Sequence, residues 1–257
     1  VTEESLAPTF KSHRDYYHFR REVVTSRRFI RSPETEAFLQ AVAATCHARE
    51  SVVNVGAGLK RAQVAHGLSP MYQTSEDGED IYIDDIECAA NKARMMPLRD
   101  RAGDGRVNPR GIPCLYMATS DATAVSEVRP AIGAYVTVAR LKCLRELKVI
   151  DCSVLAEKQF IYFKEPERAE MEKAVWSDID RAFSAPADRS DDAAEYAPTQ
   201  ILAELFRSLG YDGVAYKSAF GEDGYNVAIF NIDDFEVGRC RLFQVKDITH
   251  KITLQPD

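Results

Sequence analysis

The residues able to do chemistry crowd into one stretch of the 257-residue chain. Gly105-Arg106-Val107-Asn108-Pro109-Arg110-Gly111-Ile112-Pro113-Cys114-Leu115-Tyr116-Met117-Ala118 is followed closely by Ala122-Thr123-Ala124-Val125-Ser126-Glu127-Val128. That places an arginine in a Gly-containing loop, an aromatic at the start of an apolar run, and a carboxylate eleven residues beyond it. Arg61 stands upstream, and Ser218 and Asn226 flank the polar Gly221-Glu222-Asp223-Gly224 loop downstream. A planar guanidinium suits bidentate binding of phosphate. A carboxylate can stabilise positive charge developing in a transition state, and a tyrosine brings a flat face and a hydroxyl. Ser218 has no base near it in sequence, which reads as binding and not as nucleophilic attack. Taken singly, each has a plainer reading: a solvated helix charge for Glu127, surface ion pairs for Arg61 and Arg106, core for Tyr116, turn residues for Ser218 and Asn226.

Several other chemistries are disfavoured. There is no glycine-rich nucleotide loop, no His-Glu-x-x-His and no Gly-x-Ser-x-Gly elbow. The cysteines at 46, 88, 114, 143, 152 and 240 show no two-residue spacing, and the histidines at 13, 18, 47, 66 and 250 show no ligand spacing, so no metal is expected. The net charge of −7 repels phosphate backbones, which argues against nucleic-acid binding by bulk charge. No apolar run approaches the roughly 18 residues of a membrane span, and the first twelve residues are charged where a secretory signal is apolar. A cytoplasmic chain with reduced thiols is expected.

The positioning elements read as α+β. Ser32-Pro33 looks like an N-cap and first helical residue, with Phe38, Leu39, Val42 and Cys46 at helical spacing behind it. His13 to Arg31 reads as a preceding helix, and residues 1–50 as a helical extension to a domain spanning 51–257. Strands are expected at 52–55, 59–64, 115–118, 134–141, 147–152, 214–217 and 227–230, with a strand pair at 235–245. Residues 79–113 read as a long loop with some helix. Thr119-Ser120-Asp121 supplies capping oxygens for a two-turn helix that Pro130 stops. Helices are expected at 167–184 and 199–209, the second closed by Gly210. Strands and helices do not alternate regularly, which favours α+β over a parallel sheet.

Several ordered motifs resemble the RES-domain family, toxins of bacterial toxin-antitoxin pairs titled after their Arg, Glu and Ser residues. Leu59-Lys60-Arg61-Ala62-Gln63 is similar to the family's opening strand, and Gly105-Arg106 through Pro113 to its second arginine loop. Leu115-Tyr116 and Ala124 to Glu127 resemble the tyrosine and glutamate segment. Thr199-Gln200 to Glu204, then Gly210 to Ser218, resemble the C-terminal helix and serine strand, and Asn226 to Phe230 the closing strand. Roughly two thirds of the chain is covered. The resemblance implies a mixed β core like that of the ADP-ribosyltransferases, flanked by helices, and a pocket that consumes NAD as substrate, with inorganic phosphate or water as acceptor. It implies catalytic roles for Glu127, Arg61, Arg106 and Tyr116 and substrate binding by Ser218, Asn226 and Gln63. It also implies an Xre-type antitoxin partner, and it leaves a homodimer open. Two other readings stay open: transfer of ADP-ribose to a protein, and a binding module without turnover.

Overall fold

Ser32 caps the second helix as its sequence predicts, its hydroxyl accepting from the Thr35 N–H at 3.1 Å, with Pro33 in the first turn. In the computed structural model, which describes residues 7–186, 193–220 and 224–249, this helix is α2 (Pro33–Thr45), preceded by α1 (Asp15–Thr25). The expected helix over 13–31 thus ends at Thr25. The Glu22 carboxylate gathers the connection between the two helices, accepting from the Ser32 N–H, the Ser32 hydroxyl and the Thr35 hydroxyl. Those bonds hold its pKa down at about 2.

The main sheet is built from β1 (Glu50–Val53), β2 (Gly58–Gln63), β5 (Leu115–Ala118), β6 (Tyr135–Cys143), β7 (Leu147–Cys152), β8 (Gly213–Lys217), β9 (Tyr225–Ile229) and β10 (Phe235–Gln244). Between β2 and β5 the chain makes a separate ribbon of β3 (Gly67–Thr74) and β4 (Asp80–Cys88). The helices are completed by α3 (Asp121–Glu127), α4 (Arg168–Ser184) and α5 (Ala197–Ser208). The eight strands run in the order β1-β7-β8-β9-β5-β2-β6-β10. All neighbours are antiparallel except β7 and β8, so the chain is a mixed α+β fold as its pattern of elements predicts.

One face of the sheet buries Ile150, Val214 and Ala228 under Trp176, Ile179 and Phe183 of α4 and Leu202 and Phe206 of α5. Phe19 of α1 and Phe38 of α2 stack at 4.7 Å and belong to the same cluster. The helices before residue 50 therefore share the core of the rest of the chain. Burying each such large side chain removes apolar area from water worth about 1.5–3 kcal/mol. No described helix is long and apolar enough to cross a membrane.

Two expectations need correction. The stretch 79–113, read as a loop with some helix, opens with the nine-residue strand β4 and carries only the short turn of helix Lys92–Met95. The apolar residues of β4, exposed and interrupted by a bulge next to Tyr82, do not alternate against a core. Phe235 to Gln244 is a single strand pairing along β6, with a shift of register between Val237 and Cys240, where a pair of strands is expected. The bulge at Gly238 imitates a turn.

Candidate functional site

The sheet is split where the chemistry gathers. β2 pairs with β6 over six residues but meets β5 only at Lys60 and Ala118. Beyond that contact the strands part, and the Arg61 guanidinium crosses the gap to donate from Nη1 to the Tyr116 carbonyl at 3.0 Å. Its Nε is buried without a partner, and no carboxylate lies within ion-pair distance among the described residues. Burial lowers the Arg61 pKa from its ordinary value. An uncompensated guanidinium beside a cavity attracts an anion.

That cavity, of about 620 Å3, is lined by Arg61, Gln63, Arg106, Tyr116, Glu127 and Asn226 among others. Glu127 ends α3, which begins directly after β5 because the Ser120 hydroxyl accepts from the Thr123 N–H at 3.1 Å. The β8–β9 hairpin packs closely on the first turn of α3, where a Cβ at Gly224 would collide with Thr123. This contact brings two side chains to the carboxylate. Ser218 Oγ and Asn226 Nδ2 each lie 2.6 Å from Glu127 Oε1. The Ser218 hydroxyl also accepts from the Phe220 N–H, and its proton faces two acceptors, the Glu127 carboxylate at 2.6 Å and the Phe220 carbonyl at 3.0 Å, of which the charged one is the nearer. Both residues are buried, whereas Glu127 itself is open to the cavity mouth. Read in sequence as substrate-binding groups, Ser218 and Asn226 stand in the structure as donors that fix the orientation of Glu127.

Arg106 also reaches the cavity, but its terminal nitrogens donate to the carbonyls of Ala182 and Ala185 at the end of α4. A cation there complements the helix dipole. The Arg106 loop is pinned on three sides. Thr199 Oγ1 donates to the Arg106 carbonyl, Gln200 Nε2 donates to the carbonyls of Gly105 and Asn108, and Tyr116 holds the centre. The Tyr116 hydroxyl donates to Asn108 Oδ1 at 2.6 Å and accepts from the Val107 N–H at 2.9 Å. Both capacities of the phenol are therefore spent on the loop, and only its ring is left to a ligand. Burial raises its pKa well above the ordinary value. Tyr116→Phe should cost about 1–3 kcal/mol, because it leaves buried polar partners at Val107 and Asn108 unpaired. Urea denaturation measures this, and a loss below about 0.5 kcal/mol would show that Thr199 and Gln200 hold the loop unaided.

Three cavity residues were not singled out by sequence. Lys60 and Lys217 line it beside Arg129, whose φ of 45° puts a non-glycine residue in the left-handed region two residues after α3. The Arg129 guanidinium lies 4.6 Å from the Phe220 ring centroid. The sequence signal was available in Arg129-Pro130, which ends the helix, but nothing in it says where the side chain is sent. In all, the described cavity lining holds five Lys or Arg side chains and a single acid, Glu127. Residues 221–223 of the loop between Ser218 and Asn226 lie outside the described residues. No three His, Cys, Asp or Glu side chains among the described residues are grouped as a metal ion would need.

A family model described as RES domain matches residues 85–251, a span that takes in Arg106, Tyr116, Glu127, Ser218 and Asn226 but neither Arg61 nor Gln63. A solved chain from the "Crystal structure of the M.tuberculosis MbcT-MbcA toxin-antitoxin complex" is similar at 15% identity, over 77% of this chain and 90% of that one, with a TM-score of 0.41. No curated protein matches.

Proposed function

The chain belongs to the RES-domain family, and on that premise we propose that it is a toxin enzyme that consumes NAD by cleaving the bond between nicotinamide and ribose. The observation that carries this reading is a lone carboxylate, oriented by two buried donors, at the mouth of a cavity whose other charged side chains are all cations. A dinucleotide presents complementary charges: a pyrophosphate for the cations and a sugar that turns positive as the bond breaks for the carboxylate.

Nicotinamide leaves as a neutral group, taking the electron pair of the glycosidic bond, so no strong general acid is required. What the site must supply is stabilisation of the cationic sugar. At about 4 Å and an effective dielectric of ~20, a carboxylate contributes ~4 kcal/mol, a rate factor of about a thousand. An anionic oxygen of phosphate, or the oxygen of water with release of a proton to solvent, then bonds to the anomeric carbon, giving the phosphorylated or the free ADP-ribose. Arg61 fits the anion-holding role better than Arg106, since it has a buried N–H without a partner while Arg106 is engaged at the end of α4. Gln63, at the end of β2, lines the same wall.

Incubating the purified protein with NAD, with and without inorganic phosphate, and identifying products by mass tests the reading. Release of nicotinamide supports it, the other product names the acceptor, and intact NAD under both conditions would refute it. Arg61→Lys keeps the charge but loses the fork, and it should weaken NAD binding by about ten- to a hundred-fold, or about 1–3 kcal/mol. An unchanged Michaelis constant would remove Arg61 from the site.

A further inference from the structure

The β3–β4 ribbon is the one described element pair that takes no part in the main sheet. Its two strands pair with each other from Gly67 opposite Cys88 to Thr74 opposite Asp80. With eight residues in β3, the ribbon reaches about 25 Å. Almost every side chain from Pro70 to Glu87 is exposed. Its base is held firmly: the buried Thr137 hydroxyl donates to the Ala65 carbonyl at 2.7 Å and accepts from the Ala90 N–H at 2.9 Å, fastening both ends of the ribbon to β6.

Two properties of this arm need an explanation. The first is apolar. A two-stranded ribbon in water is marginal unless something covers it, yet this one exposes Leu68, Tyr72 and Tyr82 on one face. The Tyr72 and Tyr82 rings meet edge to face at 6.1 Å. The register puts Asp80, Asp85 and Glu87 on the same face as these three. The second is charge. Residues 67–88 contain seven Asp or Glu and no Lys, Arg or His, which equals the whole net charge of the chain, −7; the acids outside the arm balance the thirty-three Lys and Arg residues. The charge is thus localised, and five of the seven acids lie ahead of residue 85, where the family match begins.

We propose that the β3–β4 arm is a docking element for a basic protein partner, seated on the face formed by Leu68, Tyr72 and Tyr82 and ringed by Asp80, Asp85 and Glu87. An apolar centre bordered by polar or charged residues is the anatomy of a protein interface, and the acidic rim selects a Lys- or Arg-bearing segment with apolar side chains between the charges. Pairing arm to arm between two copies of this chain does not fit, because it would bring seven negative charges against seven. A nucleic acid is repelled for the same reason. The arm lies outside the proposed reaction, so the inference stands or falls independently of NAD cleavage.

The test uses the full chain and a synthetic 14-residue peptide of alternating Lys and Leu, with an oligolysine of equal charge as comparison, both followed by fluorescence anisotropy. The alternating peptide should bind at least tenfold more tightly than oligolysine, with an affinity that falls as salt rises. Asp80→Asn/Asp85→Asn/Glu87→Gln and, separately, Leu68→Ser/Tyr72→Ser should each weaken it tenfold or more while leaving circular dichroism and NAD turnover unchanged. Equal binding of the two peptides, or full binding by either variant, would overturn the proposal. So would self-association in sedimentation that the triple substitution strengthens, since that would make the arm an interface between copies.

Discussion

Glu127→Gln should lower NAD turnover by about a thousand-fold while leaving the protein folded, the factor expected for losing a ~4 kcal/mol interaction with a cationic sugar. The substitution is well matched to the site. Ser218 and Asn226 both donate to Oε1, and a glutamine carbonyl oxygen in the same place accepts both bonds. The amide then replaces the other oxygen, so the change removes charge and little else. Because Glu127 is open to solvent at the cavity mouth, its neutralisation should shift the melting temperature by no more than a degree or two. Steady-state nicotinamide release together with a melting curve checks both halves. A folded variant with more than about a tenth of the wild-type rate would dismiss the carboxylate as the charge stabiliser. In a bacterium lacking any partner, the wild-type chain should deplete NAD and arrest growth, and Glu127→Gln should do neither. Arrest with NAD undiminished and ADP-ribose on a macromolecule would replace cleavage by transfer.

The parts of the site legible in sequence are those encoded locally. Ser120 as a cap, the apolar run before it and Pro130 after it place α3 and bring Glu127 to its end within ten residues. What stayed hidden depends on pairs far apart in the chain. Ser218 and Asn226 reach Glu127 across 91 and 99 residues, and alone each resembles a turn residue. Arg106 looks like a free phosphate clamp because its partners are backbone carbonyls at the end of α4, which carry no mark in sequence. The parting of β2 from β5 is equally unreadable, since a strand's sequence does not say how many of its bonds its neighbour accepts. The β3–β4 arm escaped for a different reason. Periodicity reports a core, and this ribbon has none of its own.

The boundary drawn near residue 50 is where the structure makes its strongest demand. Arg49, just before β1, donates from Nη1 to both oxygens of Asp180 in α4, at 2.8 and 3.1 Å. The Asp180 side chain is fully buried and Arg49 is 10% exposed. The Leu155 N–H adds a bond to the same carboxylate at 2.7 Å, and the guanidinium lies 4.6 Å from the Trp176 ring centroid. Burial pushes the Asp180 pKa up, and the Arg49 charge pulls it back. Replacing such a pair by apolar groups is often neutral, whereas removing one partner strands a charge in the core. Arg49→Met should therefore cost about 3–5 kcal/mol, which for a chain of this size lowers the melting temperature by about 10 °C. Arg49→Met/Asp180→Leu should recover most of that loss, because no buried charge remains. Urea denaturation of the two variants beside the wild type decides the matter. A single-variant cost below about 1 kcal/mol would mean that water reaches Asp180. A double variant no better than the single would mean that the guanidinium contributes through its packing on Trp176, and not through its charge.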